Sequence, residues 1–132
     1  MKVVIIGFGS IGQRHCKNLL EKSNAEIFLS TKHNIKNFKN NKRIQNLPSF
    51  EKCLKNQPEI GFVCNTSNLH IQTAIKLAKN NCHLLIEKPL SNSLKNITPL
   101  LSLIEKNKLI TLMGFNLRFH PCLIKVKQLL SK

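Results

Sequence analysis

The chain has no aspartate, tryptophan or tyrosine, and its six acidic residues are all glutamate. Against them stand 21 lysines and arginines, for a formal net charge of +15. A chain this basic draws polyanions. Yet no run alternates aromatic with basic residues, as a base-stacking platform requires, and lysine is scattered along the whole length. It comes with abundant Asn and Ile, including Asn40-Asn41 and Asn80-Asn81, the mix expected when adenine and thymine dominate the coding DNA. No specific nucleic-acid partner is expected. Cys16, Cys53, Cys64, Cys82 and Cys122 are an odd set without a C-x-x-C pair, which excludes a disulfide scaffold and offers no metal site. A cationic segment followed by an apolar run and a cleavage site is lacking, and Lys and Asn interrupt every apolar run well before the roughly 20 residues that span a bilayer. These absences predict a reduced, cytoplasmic protein with no membrane segment. Its 132 residues are enough for one domain that buries roughly two-thirds of its unfolded surface.

What is present alternates. Strands are expected over Lys2-Ile6, Glu26-Ser30, Ile44-Leu47, Ile60-Cys64, His83-Ile86 and Leu109-Leu112. Helices are expected from Ile11 to Glu21, from a Ser49 cap through Leu54, over Leu94 to Lys106 and over Pro121 to Leu130. A further helix, capped by Ser67-Asn68, carries Ile71, Ala74, Ile75, Leu77 and Ala78 at helical spacing. Thr31 to Lys42 is polar and basic and reads as a loop or irregular helix. Strands alternating with helices of about ten residues imply right-handed β-α-β units around a parallel sheet. The fold class is α/β, a Rossmann-type doubly wound parallel sheet in a single domain over residues 1–132.

The sharpest local feature is Gly7-Phe8-Gly9-Ser10-Ile11-Gly12, which follows the apolar run Val3-Val4-Ile5-Ile6 and opens an amphipathic stretch with Ile11, Cys16, Leu19 and Leu20 on one side. Strand, glycine turn and helix in that order put bare amides and a helix N-terminus where a dinucleotide pyrophosphate docks. Gly7 suits the tight turn, Gly9 the close approach of backbone to ligand, and Gly12 the packing of helix on strand. Where the second strand ends, a carboxylate would normally accept hydrogen bonds from the adenosine ribose, but the chain has Ser30-Thr31-Lys32-His33. Two hydroxyls and a cation suit a 2′-phosphate and favour NADP(H). Lys32 also fits the general lysine excess, so NAD(H) stays open.

Three ordered motifs together resemble a family. Gly7-x-Gly9-x-x-Gly12-x-x-His15, then Asn65-Thr66-Ser67-Asn68-Leu69-His70, then Glu87-Lys88-Pro89, each follow a strand and look like the Gfo/Idh/MocA family of NAD(P)-dependent oxidoreductases. Gly114-Phe115-Asn116-Leu117-Arg118-Phe119-His120-Pro121 resembles the segment with which that family leaves its nucleotide domain. The resemblance implies action on a hydroxyl of a sugar, inositol or sugar nucleotide. It also implies that Lys88 sits beside the nicotinamide and hydrogen-bonds the substrate hydroxyl, where a cation favours the alkoxide-like state. Glu87 would contact the nicotinamide-side ribose, and Asn65, Thr66, Ser67, Asn68 and His70 would line the cofactor. Arg118 and His120 would face the substrate. His15 and His70 fit capping or packing equally well, and neither is expected to be a base.

The resemblance also marks what is missing. Family members continue into a second α/β domain that supplies substrate contacts and commonly an Asp and a His for proton transfer. The expectation is therefore a cofactor-binding domain, truncated or half of a split enzyme, partnered by a separate C-terminal domain chain or by a copy of itself. Alone it would be a weak enzyme, since general acid–base catalysis contributes roughly 10²–10⁴-fold. The alternatives are a non-catalytic nucleotide-binding or interaction module, and a basic nucleic-acid binder whose glycine turn is incidental. A face around Phe115, Phe119, Leu123 and Val126 is expected to lie exposed.

Overall fold

A computed structural model describes residues 1–131. Its first strand, β1 (Lys2–Ile6), is a β-branched run whose Val3, Val4 and Ile5 are buried. Such a run, apolar on both faces, belongs at the centre of a parallel sheet, and that is where it lies. The chain continues through α1 (Ser10–Lys22), β2 (Glu26–Leu29), β3 (Ile44–Asn46), α2 (Phe50–Leu54) and β4 (Ile60–Val63). It then forms α3 (His70–Lys79), β5 (His83–Ile86), α4 (Ile97–Lys106), β6 (Thr111–Met113) and α5 (Pro121–Leu130). All six strands are parallel, in the order β3-β2-β1-β4-β5-β6. The chain winds outward from β1 to β3 and then restarts at β4 on the other side of β1, so the winding reverses between β1 and β4. A crevice opens at the carboxyl ends of the strands at such a reversal.

Each face of the sheet has its own core. On one, Val4, Val63, Leu84 and Ile86 meet Ile71, Ala74, Leu77 and Ala78 of α3 and Leu100 of α4. On the other, Val3, Ile5, Ile27, Leu29 and Phe62 meet Cys16 of α1, with Ile11, Leu19 and Leu20 packed at the margin. α3 approaches closely because Gly61 has no side chain; a Cβ there would fall 2.6 Å from Leu77. On the α1 face the cover reaches β1, β2 and Phe62 of β4. Toward β5 and β6 it thins, and Ile60, Phe62, Leu85, Ile110 and Leu112 line a shallow apolar hollow of about 230 Å³. α5 is exposed along its length, and Phe115, Phe119, Leu123 and Val126 are solvent-facing as expected. No helix among the described residues is long and apolar enough to cross a membrane.

Several boundaries differ from expectation for local reasons. Ser67 and Asn68 do not cap α3; with Leu69 they form a 3₁₀ turn, and α3 starts at His70 without a side-chain cap. α4 starts at Ile97 instead of Leu94, because Ser91 and Ser93 hydroxyls take the amides of Ser93 and Lys95, and Asn96 turns left-handed at φ 64°. Hydroxyl-to-amide bonds of this kind compete with helix formation. β6 runs two residues late, since Leu109 is buried and its amide bonds the Ile104 carbonyl of the preceding helix. β2 stops at Leu29 and leaves Ser30 in the turn. A 3₁₀ turn at Asn116–Phe119 has no counterpart in the sequence reading. Ser49 does cap α2, accepting the Lys52 amide at 3.2 Å.

The glycine turn sets the position of α1. Gly7 has φ +95°, and a Cβ on it would overlap the backbone of Cys64 and Asn65; one on Gly12 would overlap the Gly7 carbonyl oxygen. Alanine at an exposed helical position stabilises over glycine by roughly 0.5–1 kcal/mol, so the sign of a substitution reports the packing. Gly12→Ala is expected to destabilise by about 1–3 kcal/mol, the usual cost of overpacking. A lowered urea midpoint at unchanged slope checks this.

Candidate functional site

The segments leaving β1, β4, β5 and β6 enclose a cleft of about 630 Å³. α1 contributes Ile11, Arg14, His15 and Asn18; the β4 exit gives Cys64, Asn65, Thr66, Ser67 and His70. Glu87 and Lys88 come from the β5 exit and Asn116 from beyond β6. At the entrance to α1, Gly9 is the N-cap, and a Cβ on it would meet nothing within 4 Å. No side chain caps this helix and no acid lies in its first turn. Since Gln13 is the first residue to donate back along the helix, to the Gly9 carbonyl, the amides of Ser10, Ile11 and Gly12 have no intrahelical acceptor.

Polar contacts tie the cleft walls together. His15 Nε2 donates to Glu87 Oε1 at 2.7 Å, with side-chain exposures of 19% and 12%. Glu87 is also confined by Gly114, where a Cβ would come within 2.9 Å of the carboxylate. His70 is buried, 2% exposed. Its Nδ1 lies 2.8 Å from the Pro89 carbonyl oxygen and its Nε2 lies 2.9 Å from that of Asn65; a neutral imidazole has one N–H to share between them. Asn65 Nδ2 donates to Thr73 Oγ1 at 2.8 Å, while its buried Oδ1 has no partner. The Lys88-Pro89 peptide is cis. Lys88 is exposed and has no ion-pair partner among the described residues.

The cleft thus brings together Ile11, Asn65, Thr66, Ser67, His70, Glu87 and Lys88, all singled out from the sequence. Gly7, Gly9, Ser10 and Gly12 form the turn and first helical residues beside it. Phe8 belongs elsewhere: its ring is buried edge-on to Phe38 at 5.4 Å, which leaves only its backbone for the turn. Asn68 is exposed in its 3₁₀ turn and does not line the cleft. Ser30, Thr31 and Lys32 line a separate hollow of about 540 Å³ with Asn46, Leu47 and Pro48. There Asn46 fixes the turn, accepting the Thr31 amide and donating to the Thr31 carbonyl, both at 3.2 Å. The Thr31 hydroxyl accepts the His33 amide at 3.0 Å and keeps its own proton to donate.

Arg118 and His120 do not reach the cleft. Arg118 lies in a surface hollow with Phe115, Leu117 and Leu123, its guanidinium 5.5 Å from the Phe119 ring centre. His120 is exposed at the start of α5. From that segment it is Asn116 that turns inward. Arg14 and Asn18 were missed, although their spacing from Ile11 and His15 puts all four on one side of a helix. Asn46 was legible only through sheet order: β3 pairs with β2 so that Asn46 sits opposite Leu29, beside the β2 exit.

A parallel sheet wound in this order, with a glycine turn and an uncapped helix at the reversal point, defines a dinucleotide-binding Rossmann domain. The chain belongs to the Gfo/Idh/MocA family: residues 1–115 match the family described as an oxidoreductase family with an NAD-binding Rossmann fold. It is 30% identical over 135 residues to the uncharacterized oxidoreductase YrbE of Bacillus subtilis (strain 168), covering 96% of this chain and 39% of that one. With the myo-inositol 2-dehydrogenase of Thermotoga maritima it shares 27% identity over 133 residues, 97% of this chain and 40% of the other. In structure it superposes on apo scyllo-inositol dehydrogenase from Lactobacillus casei with TM-score 0.84 at 21% identity, over 99% of this chain and 41% of that one. UDP-N-acetylglucosamine 3-dehydrogenase GnnA from Acidithiobacillus ferrooxidans gives TM-score 0.81 at 21% identity, with 97% and 42% covered. The chain therefore spans about two-fifths of the length of these relatives.

The thiol in the cleft is no nucleophile. Burial, and then the charge of Glu87, push Cys64 up to about 12, while burial raises Cys16, Cys53 and Cys82 to about 11. Both causes disfavour the thiolate that reacts. Cys122 alone is exposed. Treating the folded protein with iodoacetamide at pH 8 is expected to modify one thiol per chain rapidly, mapped to Cys122 by peptide mass, with the other four reacting only after unfolding.

Proposed function

We propose that this chain is the cofactor-binding part of an NAD(P)-dependent oxidoreductase that acts on a hydroxyl of a sugar, inositol or sugar nucleotide. The observation that carries the reading is the convergence, in one cleft, of the uncapped α1 terminus, the Asn65–His70 turn and the Glu87-Lys88 pair. The relatives named for inositol and sugar-nucleotide dehydrogenation support the substrate class. The residues fit a dinucleotide: Gly9 leaves the backbone bare, three amides of α1 lack acceptors, and the cleft holds the cations Arg14 and Lys88. Gly7, Phe8, Gly9, Ser10, Ile11 and Gly12 would hold the pyrophosphate with backbone. Asn65, Thr66, Ser67 and His70 would form the wall beside the cofactor.

When bound, the nicotinamide supplies hydride acceptance and donation. Lys88 then donates a hydrogen bond to the substrate hydroxyl oxygen and stabilises the negative charge that grows there. Glu87, held by His15, sets the wall next to it. A nucleotide-binding module without turnover of its own is the second reading, and one observation favours it. His15 and Glu87 satisfy each other and His70 is spent on backbone carbonyls, so Lys88 is the one proton-handling side chain in the cleft left free.

The adenosine end separates NADP(H) from NAD(H). Ser30, Thr31 and Lys32 face the β2-exit hollow with no carboxylate among its lining residues, which supports NADP(H). The free state of all five cysteines fits a reducing compartment such as the cytoplasm. The partners in this reading are the dinucleotide and a substrate-domain chain or second copy against the exposed α5 side. Following reduced-cofactor fluorescence, NADPH is expected to bind about two- to fivefold more tightly than NADH, because Lys32 is exposed and its contact screened. Lys32→Ala is expected to erase that difference. No response to either coenzyme would overturn the proposal.

A further inference from the structure

We propose that His15 and His70 are positioning residues that brace Lys88 through the residues before and after it. Lys88 itself is exposed and unpaired, yet both of its chain neighbours are pinned. Glu87 is held through its carboxylate by His15 Nε2 at 2.7 Å, and Pro89 through its carbonyl by His70 Nδ1 at 2.8 Å. The two histidines arrive from opposite faces of the sheet, since α1 packs on one core and α3 on the other. His70 Nε2 lies 2.9 Å from the Asn65 carbonyl at the β4 exit, but with the one N–H of the neutral ring given to Pro89, it is the Nδ1 bond that braces the segment after Lys88.

Burial decides how much these contacts matter. An exposed ion pair is worth little because water and salt screen it. His70 is 2% exposed, and the His15–Glu87 pair is 19% and 12% exposed, so both bonds are largely withdrawn from solvent and gain strength accordingly. The Glu87 carboxylate lies over Gly114, in space that a Cβ there would take, and His15 is the side chain that fixes its direction. The flexible lysine side chain thus springs from a backbone held on both sides. It can search for a substrate oxygen without its base wandering.

The brace is a property of the chain, and only its consequence for coenzyme rests on the proposed function. Reductive methylation with isotope-labelled formaldehyde gives each lysine an NMR signal, and that of Lys88 is identified by its loss in Lys88→Arg. In His15→Leu and His70→Leu the Lys88 signal is expected to shift from its position in the parent chain, while the signals of lysines remote from the cleft stay in place. NADPH affinity is expected to fall roughly three- to tenfold, the worth of one partly buried hydrogen bond, while affinity for adenosine 2′,5′-bisphosphate stays unchanged. His70→Gln, whose amide can still donate to the Pro89 carbonyl, is expected to recover part of the NADPH loss. Should His70→Leu fail to fold, His15→Leu, at the rim of the cleft, carries the test. An unmoved Lys88 signal in a folded variant overturns the brace, as does equal weakening of NADPH and the adenosine fragment. If the parent chain binds neither ligand, the coenzyme reading fails and the Lys88 signal still decides the brace.

Discussion

The structure depends on one steric constraint, the contact between the turn after β1 and the exit of β4. Gly7 presses on the backbone of Cys64 and Asn65, and Gly12 presses on Gly7 itself, with no space for a methyl at either point. That contact draws the start of α1 down onto the reversal point of the sheet. Three consequences share this cause. The first amides of α1 open into the crevice, His15 one turn later comes within reach of Glu87 on the far side of β4, and the β4 exit is held where His70 lies beside the Asn65 carbonyl. A bulkier turn would lift α1 and separate all three.

The two faces of the sheet are unequal, and this shapes what surrounds the site. On the α3 and α4 side, small residues at Ala74, Ala78 and Gly61 let helix and strand interlock. The α1 side closes over β1, β2 and Phe62 of β4 and then runs out of helix, leaving Leu85 and Leu112 beside an open hollow. α5, with Leu123, Val126 and Leu129 outward, stands nearby without a partner. Exposed apolar surface is costly in water, so the two ends of the sheet differ in how well they are covered.

Sequence made the central machinery legible because each piece has a local cause. β1 announces itself as a β-branched run, the glycine turn by its spacing, and α3 by apolar residues at helical intervals. The parallel, doubly wound sheet followed once strands and helices alternated. What escaped was set by competition or by neighbours distant in sequence. Ser91 and Ser93 delayed α4 by capturing amides, a choice between two satisfactory hydrogen-bonding states that propensity alone does not resolve. Phe8 looked like part of a ligand loop but found Phe38, a residue in a segment read only as polar and basic. Asn46 entered the adenosine-end hollow through its register with β2. Asn116, in place of Arg118 or His120, reached the cleft because an unforeseen 3₁₀ turn rotated the segment after β6.

Charge is arranged differently in the cleft and over the surface at large. At physiological salt, fields from scattered lysines fade over about 8 Å, so the net charge of +15 attracts polyanions without choosing among them. Inside the cleft the arithmetic is different. Glu87 is the only acid lining it, and that carboxylate is taken by His15. Arg14 and Lys88 remain as uncompensated cations beside the bare amides of α1. What sets the cleft apart from that general field is geometry: the glycine turn fixes three amides without acceptors beside a hollow that holds two cations, where the surface lysines are merely scattered.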